Sequence, residues 1–278
     1  MSFVFRRTAL VLCAVLSAAA LTACGSKVKI PAVGEADADK FLYDRGTEFL
    51  QKKSWLKARE YFRRIVDNYP RSAYREEAKL GIGDSFLGEG RIESLILGAN
   101  EFKEFLSYFP RSPRTDYAQY RLGYAQFKQM LGPQRDQTAT VEALQELKKF
   151  LDNYPDSQYR PEVLKLHRQA RDRLSESEFR IGLLYYRIKW NQGALLRFTA
   201  LLQADPEYSK RDELYFYLGE ALKRSGLPGE ALPMYEKVVK EFDGKTSKYY
   251  KTAEKRVDEV KRLLDAAAGK SPGKSGQP

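Results

Sequence analysis

The sequence predicts an all-α fold: an α-α superhelix (solenoid) of about five helical hairpins, closed by a C-terminal capping helix. Three observations carry this reading. One phrase recurs: Asn68-Tyr69-Pro70-Arg71-Ser72, Tyr108-Phe109-Pro110-Arg111-Ser112 and Asn153-Tyr154-Pro155-Asp156-Ser157. Ala204-Asp205-Pro206 and Glu241-Phe242-Asp243 are weaker copies. The four prolines lie 40, 45 and 51 residues apart, a period that signals stacked supersecondary units. Each phrase also sits between two apolar helical stretches, where Pro stops one helix and Ser can cap the next. Finally, small residues recur at fixed offsets from aromatics upstream of each phrase, as expected where helices approach closely.

The first unit shows Gly46 with Phe49, then Ala58 with Phe62, then Pro70. The fourth repeats it without insertion: Gly182 with Tyr185, Ala194 with Phe198, and Pro206. The fifth has Gly219 with Leu222, Ala231 with Tyr235, and Asp243 where Pro is expected. The second carries Gly83, Phe86 and Phe102, with Gly98 in the Ala place. The third has Gly123 and Ala143, with Gln126 and Leu147 in the aromatic places and a longer loop from Leu131 to Thr140. This pattern resembles the tetratricopeptide repeat. Five units fall at 39–70, 76–110, 115–155, 175–206 and 212–243. Pro161 to Leu174 runs into the fourth unit with no breaker, which predicts one long helix ending near Trp190. Lys248 to Ala268 places Val257, Val260, Leu263 and Leu264 between charges, which predicts the capping helix. The Gly/Ser/Pro/Lys-rich stretch 269–278 predicts a disordered tail.

The first residues read as an address. Arg6 and Arg7 precede the apolar run from Thr8 to Leu21, which is shorter than the roughly 20 residues needed to span a bilayer. The segment ends in Leu21-Thr22-Ala23-Cys24, which resembles the bacterial lipobox. On that resemblance residues 1–23 are a signal peptide and Cys24 is the lipid attachment site. Gly25 rather than Asp follows, which favours the outer membrane, with the body on the periplasmic face. Residues 24–38 form a lipidated tether. The alternative is an ordinary signal peptide with an incidental Cys.

Composition narrows the chemistry. The 278 residues hold one His, two Cys, and Lys plus Arg in excess of Asp plus Glu for a formal +11. A Cys₂His₂ or Cys₄ metal site cannot be built within one chain, nor can a disulfide framework. His167 has no partner at metal-ligand spacing and is expected at the surface or between helices. The carboxylates sit on helix faces beside Lys and Arg and read as solvated i,i+4 pairs. Gly81-Ile82-Gly83 lacks the preceding strand and the following Gly-Lys-Ser/Thr of a phosphate loop. No catalytic residues, no metal and no cofactor beyond the lipid on Cys24 are expected. Removing Arg6 and Arg7 leaves +9; nine Lys/Arg against four Asp/Glu from Lys245 onward account for +5 of it. The rest is only +4, so nucleic acid is not the expected partner.

Surfaces remain as the functional candidates. In such a solenoid the first helix of each unit lines the concave face. The third unit places Tyr117, Tyr120, Tyr124 and Phe127 there. With Tyr43 and Leu87 of the earlier units they form a candidate peptide groove, because Tyr joins large contact area to a polar tip. The alternative is that superhelical winding packs these aromatics against neighbouring helices. Arg197, in the apolar run Ala194-Leu195-Leu196-Arg197-Phe198, is the candidate partner-interface residue; the alternative is an Arg snorkelling into water.

A lipobox followed by five such repeats resembles the BamD (ComL-type) family of outer-membrane assembly lipoproteins. The resemblance covers about Asp39 to Phe242. It is carried by Phe105-Leu106-Ser107-Tyr108-Phe109-Pro110, Asp116-Tyr117-Ala118-Gln119-Tyr120, Arg135-Asp136-Gln137-Thr138, and the run from Tyr185-Tyr186 to Arg197-Phe198. It implies a non-enzymatic subunit of the β-barrel assembly (Bam) complex at the outer membrane. Repeats 1–3 (39–155) are then the substrate side, receiving the C-terminal segments of unfolded outer-membrane proteins, whose signals end in an aromatic. Repeats 4–5 and the cap (156–268) are the side that docks a BamA-like barrel protein, with Arg197 in the place of an interface Arg. Other Bam lipoproteins and outer-membrane lipid complete the implied partners. The missing Pro of the fifth unit and the long basic tail depart from the pattern; the tail could touch lipopolysaccharide, peptidoglycan or another subunit. A division-type or peptidoglycan-type repeat lipoprotein, resembling CpoB, is the alternative, although no heptad run lies between Cys24 and Asp39.

Overall fold

The computed structural model describes residues 31–32 and 35–269. The signal peptide, Cys24, most of the tether and the tail from Lys270 onward lie outside the described residues. Eleven helices and no strand are present among the described residues: α1 (Ala38–Gln51), α2 (Trp55–Asn68), α3 (Arg75–Glu89), α4 (Ile92–Tyr108), α5 (Thr115–Gln129) and α6 (Thr138–Asn153). They are followed by α7 (Arg160–Arg187), α8 (Asn191–Ala204), α9 (Arg211–Arg224), α10 (Pro228–Glu241) and α11 (Tyr250–Ala267). Each helix packs on the next. In addition α1, α3, α5, α7 and α9 touch one another in order, while α2, α4, α6, α8 and α10 do not do so to a comparable degree. The first helices of the hairpins therefore form the inner face of an all-α superhelix, and α11 caps it. No described helix is long and apolar enough to cross a membrane.

The small residues explain the hairpins. A Cβ on Gly46 would stand 2.6 Å from a ring carbon of Phe62, and one on Gly182 2.6 Å from a ring carbon of Phe198. In four units the aromatic of the second helix thus lies against the bare backbone of the first, and in the third unit Leu147 takes that place against Gly123. Phe62, Phe102, Phe198 and Tyr235 are fully buried this way, each contributing on the order of 2 kcal/mol through burial. Gly98 in place of Ala also has a cause: a Cβ there would come within 3.2 Å of the Gly83 carbonyl oxygen.

The turn inside four of the five hairpins uses one left-handed residue. Lys53 (φ 55°), Gly90 (φ 69°), Lys189 (φ 64°) and Gly226 (φ 77°) supply it. In the first, fourth and fifth units the next N–H closes back on the helix: Ser54 to the Phe49 carbonyl, Trp190 to Tyr185, and Leu227 to Leu222. Lys53 and Lys189 hold this conformation at a cost of ~1 kcal/mol each. The third unit replaces the turn with the loop 130–137.

The recurring phrase has a second role besides stopping helices. Ser72, Ser112 and Ser157 accept the N–H two residues on, at 3.0, 3.1 and 3.3 Å. Each also donates its hydroxyl, at 2.6 Å, to a carboxylate near the start of its unit's first helix: Asp39, Glu76 and Asp116. The phrase therefore ties the end of one unit to its own beginning. At the fifth phrase Asp243 stands in for Pro and caps the turn itself, accepting from the N–H groups of Lys245 and Thr246.

The expected long helix is α7, with 28 residues. Val163 and Leu166 on its first half join the core of the third unit, with Leu147 and Phe150. Phe179 and Tyr186 on its second half begin a separate core that continues to Val260 of α11. One rigid rod is shared by two bodies.

Candidate functional site

The α5 aromatics are brought together on the inner face. Tyr117 and Tyr120 have ring centroids 6.4 Å apart, and Tyr120 and Tyr124 6.3 Å. Tyr159, immediately before α7, stacks on Tyr120 at 5.2 Å and lies 5.4 Å from Tyr117. All four candidate residues of α5 are half-buried, so the row is partly covered and partly open. Arg121 lies over the rings of Tyr117 (5.8 Å) and Tyr124 (5.3 Å). Its Nε donates to Asp84 of α3 at 2.7 Å, and the Tyr117 hydroxyl donates to the same carboxylate at 2.8 Å. Burial, reinforced by that carboxylate, pushes the Tyr117 phenol far above its ordinary value. Tyr117 is thus anchored by the Asp84 carboxylate, whereas Tyr120 and Tyr124 lie beside the Arg121 guanidinium.

The other two candidates sit differently. Leu87 is only 8% exposed and packs in the α3–α5 core beside Tyr117 and Tyr124. Tyr43 is half-buried in the core of the first unit, separate from the α5 row, and stacks on Tyr74 at 4.9 Å. Its position, three residues before the unit's Gly, is covered in the same way elsewhere. Tyr159 covers Tyr120, and Tyr249 stacks on Phe216 at 4.8 Å. In each case a Tyr just before a helix covers the aromatic of the preceding first helix. The local sequence carries no sign of this, because the partners are more than thirty positions apart.

Beyond Phe127 the inner face opens into a cleft of about 420 Å³ between Met130 and Pro133 of the third-unit loop and the middle of α7. There Glu176 accepts from Tyr208 (2.6 Å), Lys210 (2.8 Å) and Arg180 (2.8 Å). Burial opposes its charge, but these donors win and hold its carboxyl below the ordinary value. Nearby, Asp205, 4% exposed, accepts from Arg168 and the Ser175 hydroxyl. It is likewise held below its ordinary value, against burial, by Arg168 and Ser175. His167, the residue before Arg168, is half-buried; burial and then the charges of Arg171 and Arg168 lower its pKa.

Exposed i,i+4 pairs of the expected kind are present, among them Lys40–Asp44, Arg64–Glu60 and Lys148–Asp152, but other carboxylates pair across repeats instead. Asp84–Arg121, Glu89–Arg59, Asp205–Arg168 and Glu220–Arg256 bridge helices over 37, 30, 37 and 36 residues. The missed signal was opposite charges spaced by roughly one repeat.

Arg197 lies on α8, on the outer side. It pairs with Glu178 of α7 at 3.1 Å, both side chains being about two-fifths exposed. Leu196 beside it is 71% exposed, and a cleft of about 270 Å³ runs between α7 and α8 past Leu174 and Ala200. A cation beside exposed apolar surface suits an interface, and the pair to Glu178 keeps it positioned. Among the described residues no group of three His, Cys, Asp or Glu is placed to hold a metal.

Fold and surfaces together define a helical-repeat scaffold of tetratricopeptide type. Residues 35–237 match the family model YfiO, described as outer membrane lipoprotein, and the chain belongs to that family. A relative from Caulobacter vibrioides, named outer membrane protein assembly factor BamD, is 30% identical over 227 residues, covering 81% of this chain and 73% of the relative. One of the same name from Haemophilus influenzae is 26% identical over 197 residues, 67% of this chain and 74% of that one. The chain spans about two thirds to three quarters of the length of such relatives. They are assembly factors, and the chain is not an enzyme. Among solved structures, the TPR2AB domain of yeast Sti1 in complex with pHSP90 is similar at TM-score 0.47 and 12% identity, over 84% of this chain and 86% of that one.

Proposed function

We propose that this chain is a lipid-anchored assembly factor for outer-membrane proteins, held through Cys24 on the periplasmic face of the outer membrane. Its first three units receive the C-terminal segments of unfolded outer-membrane proteins along the α5 row. Its last two units dock a BamA-like barrel protein through the surface around Arg197, with other Bam lipoproteins as neighbours. The relatives' shared name and the family support the assembly role. The observation that carries the peptide-binding part is the row Tyr120, Tyr124 and Phe127 at the inner face, half-open and running into a cleft. Aromatic side chains there offer large area at low entropy cost to an extended, aromatic-ended segment.

Affinity purification of the lipidated chain from detergent-solubilised membranes tests the assembly role. Recovery of an outer-membrane barrel protein with periplasmic domains is expected, and its loss with Arg197→Leu. Absence of any barrel protein from the wild-type preparation contradicts the reading. Cys24→Ala is expected to release the chain from the membrane fraction; unchanged membrane recovery contradicts the anchor.

A further inference from the structure

A second hollow adjoins the cleft beyond Phe127. It measures about 460 Å³ and shares Pro133 and Arg180 with its neighbour, so the two make one trough along α7. Both volumes fall in the range of small ligand sites, roughly 300–1,000 Å³. The floor of the second hollow is apolar: Pro133, Ile181, Leu183 and Leu184, the last 55% exposed. Its rim is cationic: Arg135 from the third-unit loop, and Arg180 and Arg187 from α7. No carboxylate lines it.

The charge imbalance is built into the helix. Arg173, Arg180 and Arg187 follow one another at seven-residue intervals, one face of α7 with ~10.5 Å of rise per step. Along the trough only Asp172 and Glu176 oppose them, and both are occupied. Asp172 accepts from Arg168 and from the N–H and hydroxyl of Ser209. Glu176 accepts from Tyr208, Lys210 and Arg180. Among the described residues no ion pair engages Arg135, Arg173 or Arg187. Arg173 is fixed by the Leu131 carbonyl at 2.8 Å, which also holds the loop wall against the helix.

We propose that the second hollow captures the free C-terminal carboxylate of an extended peptide, with the last side chain on the Ile181–Leu184 floor. The arginines of its rim supply planar forks that match a carboxylate bidentately. An apolar floor beneath the unpaired guanidiniums of Arg135 and Arg187 selects an apolar or aromatic residue that carries its own negative charge, which a chain terminus provides and an internal residue does not. The approach runs from the α5 row through the first cleft, so the peptide end is the part that reaches α7. The inference rests on the peptide-binding reading above and adds the residues that recognise the end.

The test uses the full mature chain and one ten-residue peptide ending in Phe, synthesised as the free acid and as the C-terminal amide. Fluorescence anisotropy is read at low and moderate salt. The free acid is expected to bind about ten-fold more tightly than the amide. Arg135→Ala/Arg187→Ala is expected to remove that difference by weakening the acid alone, with an unchanged thermal melt. Equal binding of acid and amide to the wild type overturns the inference while leaving the peptide-binding reading intact. So does equal weakening of both peptides by the double variant. Binding of neither peptide overturns both. Arginine-dependent capture of phosphatidylglycerol vesicles, with no discrimination between acid and amide, overturns it in favour of a lipid surface.

Discussion

The two bodies joined by α7 are stabilised in different ways. In the first three units buried residues form separate clusters, roughly one per hairpin, and the hairpins are laced by the same Ser–carboxylate hydrogen bond repeated three times. In the last two units and the cap a single core runs from Phe179 to Val260, reinforced by Glu220, which accepts from Tyr235 and Arg256. The junction between the bodies has its own construction: Tyr208 takes the Ser place, Glu176 of α7 gathers charged partners, and Asp205 at the end of α8 pairs with Arg168 of α7. A chain of similar links unfolds in steps, whereas a continuous core unfolds as one unit. The proposed function assigns varied polypeptide to the body built of separate clusters and a folded partner to the body with one continuous core.

The largest expected effects break or sharpen that contrast. Phe198→Ala removes the ring packed on Gly182 and is expected to cost ~3–5 kcal/mol. Urea unfolding should show one cooperative transition for everything beyond α7. Phe102→Ala is expected to cost a similar amount, but hydrogen exchange should show it loosening the second unit and its neighbours alone. Global loosening in both variants would remove the distinction.

Next comes the junction. Asp205→Asn leaves the Arg168 guanidinium without its buried carboxylate and is expected to cost ~2 kcal/mol. The pH dependence has a definite sign. Asp205 is held below its ordinary value of 3.8 when folded, so its contribution is complete above that pH and is lost as pH falls through the lower folded value. Thermal melts from pH 5 to 2 should therefore be shallower for Asp205→Asn than for wild type. A parallel decline would show that the shift at Asp205 is unimportant.

Smaller changes follow. Ser112→Ala removes one of the repeated links and is expected to cost ~1 kcal/mol, read as a lower midpoint in urea. Lys189→Gly relieves a left-handed lysine in the fourth turn and is expected to be neutral to stabilising by up to ~1 kcal/mol. Destabilisation there would mean that the Lys189 side chain matters more than its backbone.

Much of this architecture was legible because it is local. Gly46, Gly182 and Gly219, the prolines, the unbroken run into α7 and the apolar spacing of the cap each follow from residues within one or two helical turns. What escaped were pairings over one repeat. Tyr159 over Tyr120, Ser157 on Asp116 and Arg168 on Asp205 join residues 37 to 41 positions apart. No single-helix pattern contains them. The same blindness applied to the site. The α5 row was visible as a stripe, but the anchoring of Tyr117 by Asp84 and the burial of Leu87 depend on α3 and its neighbours. The trough was invisible for a related reason: Arg135 meets Arg180 and Arg187 only because the loop after α5 lies along α7.

The proposed division of labour between the bodies is tested most directly by one crossed co-isolation. Wild type, Tyr120→Ala/Tyr124→Ala and Arg197→Leu chains, each lipidated in cells, are purified from membranes, and two quantities are read from each. One is the recovered barrel partner; the other is the affinity for a peptide ending in an aromatic residue. The tyrosine variant is expected to lose peptide affinity by about ten-fold, a change of ~1.4 kcal/mol, and to keep the barrel partner. Arg197→Leu is expected to do the reverse. Loss of both quantities in either correctly folded variant, or of neither in both, would contradict the separation of a receiving body from a docking body.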